Sequence, residues 1–145
     1  MKTAVIDEPF EPWGYLREYQ QVAHSQPGEY GATAAFVGTM RDFNEGDEVR
    51  GMFLEHYPGM TERYLQKIAR QAGERWSLSD CLVVHRVGDL SPGDPIVLVA
   101  AWSAHRNAAF EASRWLMEEL KSKAPFWKKE QLAEGSRWVE KNTTG

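Results

Sequence analysis

The chain has 145 residues, of which 42% are hydrophobic and 26% are charged. These values predict one globular domain, residues 1–145, that buries its core without disulfides or structural metals. A formal net charge of −4 argues against a nucleic-acid-binding protein. The first ten residues lack the apolar segment of a signal peptide, and the longest apolar run, residues 96–102, is too short to span a membrane. We therefore expect a cytoplasmic protein.

The residue types that hold metals and cofactors do not form a recognisable pattern. Cys81 is the single cysteine, so neither an internal disulfide nor a cysteine-based metal cluster can form. It lies in an apolar, strand-like run, which favours a buried hydrophobe over a nucleophile. There is no H-E-x-x-H pattern, no phosphate-binding G-x-x-x-x-G-K-[ST] loop and no dinucleotide-binding G-x-G-x-x-G. We expect no metal and no cofactor.

The predicted elements alternate without a strict strand–helix–strand rhythm, and several strands are joined by hairpin-length connections. This pattern predicts an α+β fold with a mainly antiparallel sheet. Polar loops are expected over residues 41–47 and 88–94. The long third helix begins at Ser103 as N-cap and ends before Pro125. Strands are predicted at 4–6, 30–40 (buried), 49–57, 81–87, 96–102, 126–130 and 137–140, and the shorter helices at 13–23 and 61–76.

Positive charge is concentrated around the long helix. Residues 104–145 hold eight Lys/Arg against six Asp/Glu, although the whole chain is acidic. His105 and Arg106 fall at the front of the helix, where the helix dipole disfavours cations, so the pair predicts a bound anion such as a phosphate. The alternative is that both are solvated surface residues.

A second cluster of positive charge lies at the back of the helix. Lys121 and Lys128 can approach each other across the turn at Pro125, and neighbouring ammonium groups depress each other's pKa. A lysine in that position can act as acid, base or nucleophile near neutral pH. The alternative is a pair of solvated lysines. Arg41, which follows a predicted strand, is a third candidate anion ligand, and His56 is a candidate base that is more simply structural.

One small ligand cannot reach both clusters within one chain. His105 and Lys121 are about 24 Å apart on one straight helix, at a rise of 1.5 Å per residue. Two arrangements remain open. In the first, the clusters are parts of two separate sites. In the second, a two-fold dimer, the start of the helix in a second copy of the chain lies beside the end of the helix in this copy.

A set of motifs in fixed order, between about Gly31 and Val139, resembles the large, catalytic subunit of molybdopterin synthase. The motifs are G-T-M-R, L-E-H-Y-P-G-M-T, H-R-V-G-D-L-x-P-G-D, S-A-H-R-x-A-A-F-E-A, L-K-S-K-A-P-F-W-K-K-E and E-G-S-R-W-V-E. The resemblance implies an α/β hammerhead-type fold. It also implies a sulfurtransferase of molybdenum cofactor biosynthesis, in which a ubiquitin-like small subunit carries sulfur as a C-terminal Gly-Gly thiocarboxylate. The acceptor is cyclic pyranopterin monophosphate, which becomes molybdopterin, and the assembly is a heterotetramer around a homodimer of large subunits.

The resemblance also implies the site residues. Lys121 and Lys128 match the essential lysines, which attract the carrier's terminal group and protonate the leaving oxygen; Lys121 is also a candidate for acylation by the carrier tail. Met40 stands where the family usually has valine, and the short tail after Lys141 leaves any contribution of that region open. The alternative is a non-catalytic module that binds a phosphorylated small molecule or a ubiquitin-like tail. The substrate-binding positions are Thr39, Met40, Arg41, His105, Arg106, Lys121, Lys128, Lys129 and Glu130.

Overall fold

The computed structural model describes residues 1–44, 47–132 and 135–139. Among these residues no helix is long and apolar enough to cross a membrane. The single-domain organisation over residues 1–145 stays a prediction, because part of that range lies outside the described residues. In chain order the elements are β1 (Lys2–Ile6), α1 (Pro12–Ala23), β2 (Ala32–Thr39), β3 (Phe43–Asn44), β4 (Asp47–His56), α2 (Met60–Trp76), β5 (Asp80–Arg86), β6 (Gly88–Leu90), β7 (Pro95–Ser103), α3 (Arg106–Ser122), β8 (Phe126–Leu132) and β9 (Gly135–Trp138).

The larger core is built around a four-stranded sheet in the order β1-β5-β7-β2. The β1–β5 pair is parallel, and the other pairs are antiparallel. The central strands β5 and β7 are apolar on both faces, because helices cover both sides. Val83 and Val99 pack with residues of α2 and α3, whereas Leu82 and Leu98 pack on the opposite face with residues of α1. The long helix α3 is therefore held against the sheet, and its two ends have fixed positions.

The smaller sheet has the order β3-β4-β8-β9, and β6 also pairs with β4. Its inner face packs on a second cluster of buried residues. In the β4–β8 ladder Leu54 lies opposite Lys128, which places this lysine on the inner side of the sheet. The cluster consists of Met40, Met52, Leu54, Val87 and Leu90.

The α+β class with mainly antiparallel pairing is confirmed, and the predicted strands and helices are all present with end shifts of a few residues. Two predicted loops contain short strands. The 41–47 loop includes β3, which pairs with the start of β4, and the 88–94 loop includes β6. Both were missed because strands of two or three residues are too short to show a periodic pattern.

Two local predictions are wrong. Ser103 is not the helix N-cap; it is the last residue of β7, paired with Ala32, and its hydroxyl donates to the His105 carbonyl. The N-cap is His105. Strand β2 is not buried, since it lies at the edge of its sheet and Phe36 is 44% exposed. A run of small and apolar residues does not distinguish an edge strand from a central one.

Candidate functional site

Lys121 and Lys128 meet at the junction between α3 and β8. Lys121 lies in the last turn of the helix, and Lys128 is the third residue of the strand. The connecting turn is fixed by a hydrogen bond from the Thr61 hydroxyl to the Pro125 carbonyl at 3.1 Å. The two amino groups come within hydrogen-bonding reach of each other. The predicted approach of these lysines is therefore present in the structure.

Burial and mutual repulsion change the protonation of this pair. Burial is the main cause that lowers the pKa of Lys128 to about 8; the charge of Lys121 and their hydrogen bond lower it further, while Glu130 partly opposes the shift. The pKa of Lys121 is also lowered, first by burial and then by the charge of Arg41, but its hydrogen bond to Lys128 raises it. Both lysines therefore lose a proton more readily than a lysine in water. A lysine with a pKa near 8 can give or accept a proton at physiological pH.

A cavity of about 280 Å³ opens at this pair. Its walls carry both polar and apolar side chains and come from β2, β5, β7, α3 and β8. A ligand inside it is removed from much of the solvent. Lowered solvation strengthens the interaction of any anion with the two lysines. The lining residues are Gly38, Thr39, His85, Ile96, Val97, Met117, Leu120, Lys121, Ser122, Ala124, Phe126, Trp127, Lys128 and Val139.

His85 is a cavity residue for which the sequence indicated no role. Its ring stacks on Phe126 with centroids 4.0 Å apart, and Nδ1 lies 2.9 Å from the Arg86 carbonyl. A carbonyl accepts only, so Nδ1 carries the proton and donates. Burial and then the charges of the two lysines lower the pKa of His85 to about 4, although its hydrogen bond to the Arg86 carbonyl opposes the shift. The histidine is therefore a neutral polar group in the cavity wall. Its mid-strand position in an apolar run gave no functional signal.

The G-T-M-R segment contributes to the same site in three different ways. Thr39 lines the cavity. The side chain of Met40 is buried in the second core cluster, so it supports the site from behind rather than facing a ligand. Arg41 is exposed and follows the cavity residue Thr39 by two positions, and its charge contributes to the lowered pKa of Lys121.

The last two predicted substrate-binding residues of β8 point to opposite sides of the strand. Lys129 faces away from the cavity, with Nζ 5.6 Å from the centre of the Trp138 ring. Glu130 is buried on the inner side, where Arg137 donates to its carboxylate at 3.1 Å. Glu130 also contributes a negative charge that opposes the fall in the pKa of Lys128. Successive side chains of a strand point to opposite faces, which accounts for this division.

His105 and Arg106 lie at the other end of α3. Both are exposed, and they border a shallow depression with Asn107 and Phe110. As the helix length required, this chain does not bring them to Lys121.

A largely apolar groove of about 880 Å³ lies between β2 and α3, extending from Phe110 near the front of the helix to Lys121 at its back. It contains two exposed aromatic side chains, Phe36 at 44% and Phe110 at 65% exposure. An exposed apolar groove with aromatic side chains is typical of a surface that contacts another protein chain.

The remaining candidates have structural partners. His56 contacts Glu62 at 3.3 Å, which agrees with a structural rather than a catalytic part. Cys81 is buried, and burial raises the pKa of its thiol to about 11, so it is not a reactive thiolate at neutral pH. Within the described ranges no cluster of three His, Cys, Asp or Glu side chains is placed to hold a metal ion. The tail after Lys141, whose contribution the sequence leaves open, lies outside the described residues.

Comparisons with known proteins agree on one family. The model of the MoaE protein family matches residues 6–123. A molybdopterin synthase catalytic subunit from Pseudomonas aeruginosa is 60% identical over 117 residues, which cover 81% of this chain and 78% of that protein. The crystal structure of molybdopterin synthase from Staphylococcus aureus superposes with a TM-score of 0.82 at 32% identity, covering 93% of this chain and 94% of the other.

A more distant structure shares the fold. It is a protein–protein complex of subunits 1 and 2 of molybdopterin-converting factor from Helicobacter pylori. The matching chain has a TM-score of 0.79 at 21% identity, with 95% of this chain and 90% of that chain covered.

Proposed function

The chain belongs to the MoaE protein family, and we propose that it acts as the catalytic subunit of a molybdopterin synthase. In this proposal it is a sulfurtransferase that converts cyclic pyranopterin monophosphate into molybdopterin. The sulfur arrives as the C-terminal thiocarboxylate of a ubiquitin-like small subunit. The 60% identity to a named catalytic subunit supports the activity. The cytoplasmic location remains a prediction.

The observation that carries the proposal is the lysine pair in the cavity. Lys121, which lines the cavity, is suited to attract the carrier's terminal carboxylate or thiocarboxylate. Lys128, with a pKa of about 8, is suited to deliver a proton to the oxygen that leaves the pterin side chain. Each transfer forms a carbon–sulfur bond and breaks a carbon–oxygen bond. Water then takes the acyl group from sulfur, and the carrier departs as a carboxylate.

The phosphate of the substrate needs cations in addition to these lysines. Arg41 is near enough to Lys121 to lower its pKa, so it is placed to hold a phosphate beside the pair. His105 and Arg106 offer a second anion-binding position at the front of α3. In our proposal they come from the second copy of the chain, because one helix separates them from Lys121 by about 24 Å.

The groove between β2 and α3 supports that dimer. It is continuous with the catalytic cavity through Met117 and Lys121, which line both. Packing the exposed Phe36 and Phe110 against a second copy removes apolar surface from water. In such a dimer the start of α3 in one copy, with His105 and Arg106, lies close to Lys121 at the end of α3 in the other copy. With a small subunit at each end, the assembly is a heterotetramer.

The need for a sulfur-carrying partner also follows from the chemistry of this chain. Cys81 is buried with a raised pKa, so it is unsuited to carry a persulfide or to donate sulfur. The structure of a two-subunit molybdopterin-converting factor complex shows that a chain of this fold assembles with a second subunit. We propose the thiocarboxylated small subunit as the sulfur donor here.

The rival hypothesis is a non-catalytic module that binds a phosphorylated molecule or a ubiquitin-like tail. One incubation separates the two. The chain is mixed with cyclic pyranopterin monophosphate and thiocarboxylated small subunit, and the pterin product is identified by mass spectrometry. We expect the mass change for replacement of two oxygens by two sulfurs, and an unmodified carboxylate on the released carrier. Tight binding with an unchanged pterin would support the module instead.

The assigned role of Lys121 has a matched control in the same turn. Lys121→Ala should reduce product formation by at least about 100-fold, the scale of a lost general acid or electrostatic group. Lys123→Ala removes a lysine that is exposed and paired with Glu119 at 3.2 Å, so turnover should stay near normal. Near-normal turnover of the Lys121 variant would remove this lysine from the mechanism.

A further inference from the structure

The segment H-R-V-G-D-L-S-P-G-D, residues 85–94, supplies only His85 to the cavity lining. Arg86, which is 6% exposed, is its most confined charged residue. Its guanidinium contacts the Asp94 carboxylate at 3.3 Å and donates to the Asp89 carbonyl at 2.7 Å. Burying a guanidinium is costly unless it is paired, so this ion pair holds the 89–94 turn in one position.

The same carboxylate also organises the turn internally. Asp94 Oδ2 accepts from the Ser91 amide at 2.9 Å, and the Asp94 amide donates to the Ser91 carbonyl at 3.0 Å. Gly93, between them, has φ +92°, a conformation that side chains with a Cβ rarely adopt. Arg86, Asp94 and the turn therefore form one rigid unit at the start of β7.

The turn is hydrogen-bonded to Met40, the residue that precedes Arg41. The Met40 amide donates to the Asp94 carbonyl at 2.9 Å, and the Gly93 amide donates to the Met40 carbonyl at 2.9 Å. The β2–β7 register is irregular between Gly38 and Thr39, so the regular ladder ends just before this point. The backbone from which Arg41 projects is thus fixed by the turn instead of by the sheet.

We infer that the Arg86–Asp94 ion pair is a positioning device that sets the Arg41 guanidinium beside Lys121 at the mouth of the cavity. Its part in holding the substrate phosphate rests on the proposed function; its effect on Arg41 does not. Arg86 and Asp94 are positioning residues that act through Met40, with no need to touch the substrate.

The position of Arg41 can be measured without turnover, because its charge lowers the pKa of Lys121. The other charged groups that act on Lys121 are Lys128, from β8, and Glu118, from its own helix. The pH midpoint of Lys121 acylation by a small amine-reactive reagent reports this environment. Peptide mass spectrometry of the full chain gives the midpoint residue by residue.

The decisive experiment is a double-mutant cycle between Asp94 and Arg41. We expect Arg41→Ala to raise the Lys121 midpoint by about half a pH unit. Asp94→Asn should raise it in the same direction by freeing Arg41. Adding Asp94→Asn to Arg41→Ala should produce no further change, since the positioned charge is already gone. An equal shift by Asp94→Asn in both backgrounds, or no shift in either, would overturn the inference.

A matched control separates positioning from general destabilisation. Asp80 is another buried carboxylate, paired with the N-terminal amine and with Tyr19, and it lies at the opposite end of β5, about 20 Å from Arg86. Asp80→Asn should lower stability and leave the Lys121 midpoint unchanged. If Asp94→Asn does not fold, Arg86→Lys keeps the charge but loses the forked contact, and it should give a smaller shift in the same direction. If the Lys121 midpoint changes in proportion to the free energy of unfolding in all variants, including Asp80→Asn, the Arg86–Asp94 ion pair has only a structural role.

In the assembled enzyme, loss of the Arg86–Asp94 ion pair should weaken substrate binding more than it slows the chemical step. Asp94→Asn should raise KM for cyclic pyranopterin monophosphate about tenfold, the scale of one lost charge-assisted hydrogen bond, with kcat within about twofold. A midpoint shift without turnover in the unmodified chain would refute the proposed function and leave the positioning device standing. Turnover by the unmodified chain with no shift of the Lys121 midpoint in the Asp94→Asn variant would support the proposed function and refute the positioning device.

Discussion

The amino groups of Lys121 and Lys128 interact with each other, although both side chains carry a positive charge when free in water. They are brought together because α3 ends one turn before Pro125 and β8 returns along the same edge. Two charged ammonium groups in a partly buried site repel each other, so one of them loses its proton more easily. The pKa of both lysines is lowered, to about 8 at Lys128.

The activity should depend on pH through Lys128. If its ammonium delivers a proton to the leaving oxygen, the active form is present below pH 8 and is lost as pH rises through about 8. We expect kcat for molybdopterin formation to be level from pH 6.5 to 7.5 and to fall about tenfold for each pH unit above about 8.5. Single-turnover rates with preloaded small subunit measure this. A rate that increases through pH 8 would instead assign Lys128 as a base.

Lys128→Met should stabilise the folded chain while removing activity. The folded pKa of about 8 is below the ordinary 10.5, so the unfolded state binds more protons between these values and stability rises with pH across that window. Below pH 8 the full cost of burying the charge is present. Replacing Lys128 with methionine should therefore raise the free energy of unfolding at pH 7 by about 1–3 kcal/mol. This increase should be smaller at pH 10. Urea unfolding at both pH values tests this.

A control for that stability change is the next residue along β8. Lys129→Met alters a lysine on the other side of the strand, where its amino group lies over the Trp138 ring. Its free energy of unfolding should change by less than about 1 kcal/mol, with little difference between pH 7 and pH 10. Destabilisation of the Lys128 variant at pH 7 would contradict the burial cost assigned to this charge.

Mixed dimers should recover activity if the site is shared between two copies. Arg106→Ala and Lys121→Ala inactivate opposite ends of α3, so a dimer with one of each retains one intact composite site. We expect about half of the normal activity per mixed dimer, measured after co-expression with two different affinity tags. No recovery in isolated mixed dimers would show that both ends act within separate sites.

Cys81→Ala should keep sulfur transfer intact. The thiol is buried, and its pKa of about 11 leaves almost no thiolate at neutral pH. Loss of the sulfur atom leaves a small cavity beside the Ala69 carbonyl, which should cost about 1 kcal/mol of stability. Product formation with thiocarboxylated small subunit should stay within about twofold of normal. A loss of turnover greater than the loss of folded protein would give Cys81 a part in sulfur transfer.

The sequence by itself determined the element types, the mainly antiparallel class and the two clusters of cations. Periodicity and turn residues are local signals, so they identified α3 and β8 without any knowledge of packing. Helix length alone separated His105 from Lys121. These conclusions needed only the geometry of isolated elements.

Only the tertiary structure decided what surrounds those residues. His85 lines the cavity, where its ring stacks on Phe126 of β8, and Arg86 reaches Asp94 because the 88–94 turn folds back on the end of β2. The exposure of β2 depends on its place at the sheet edge, and the N-cap moved to His105 because β7 keeps Ser103 in its ladder. The pKa of Lys128 is set by burial and by a neighbour seven residues away. Desolvation and pairing act through space, and sequence order does not specify which side chains become neighbours.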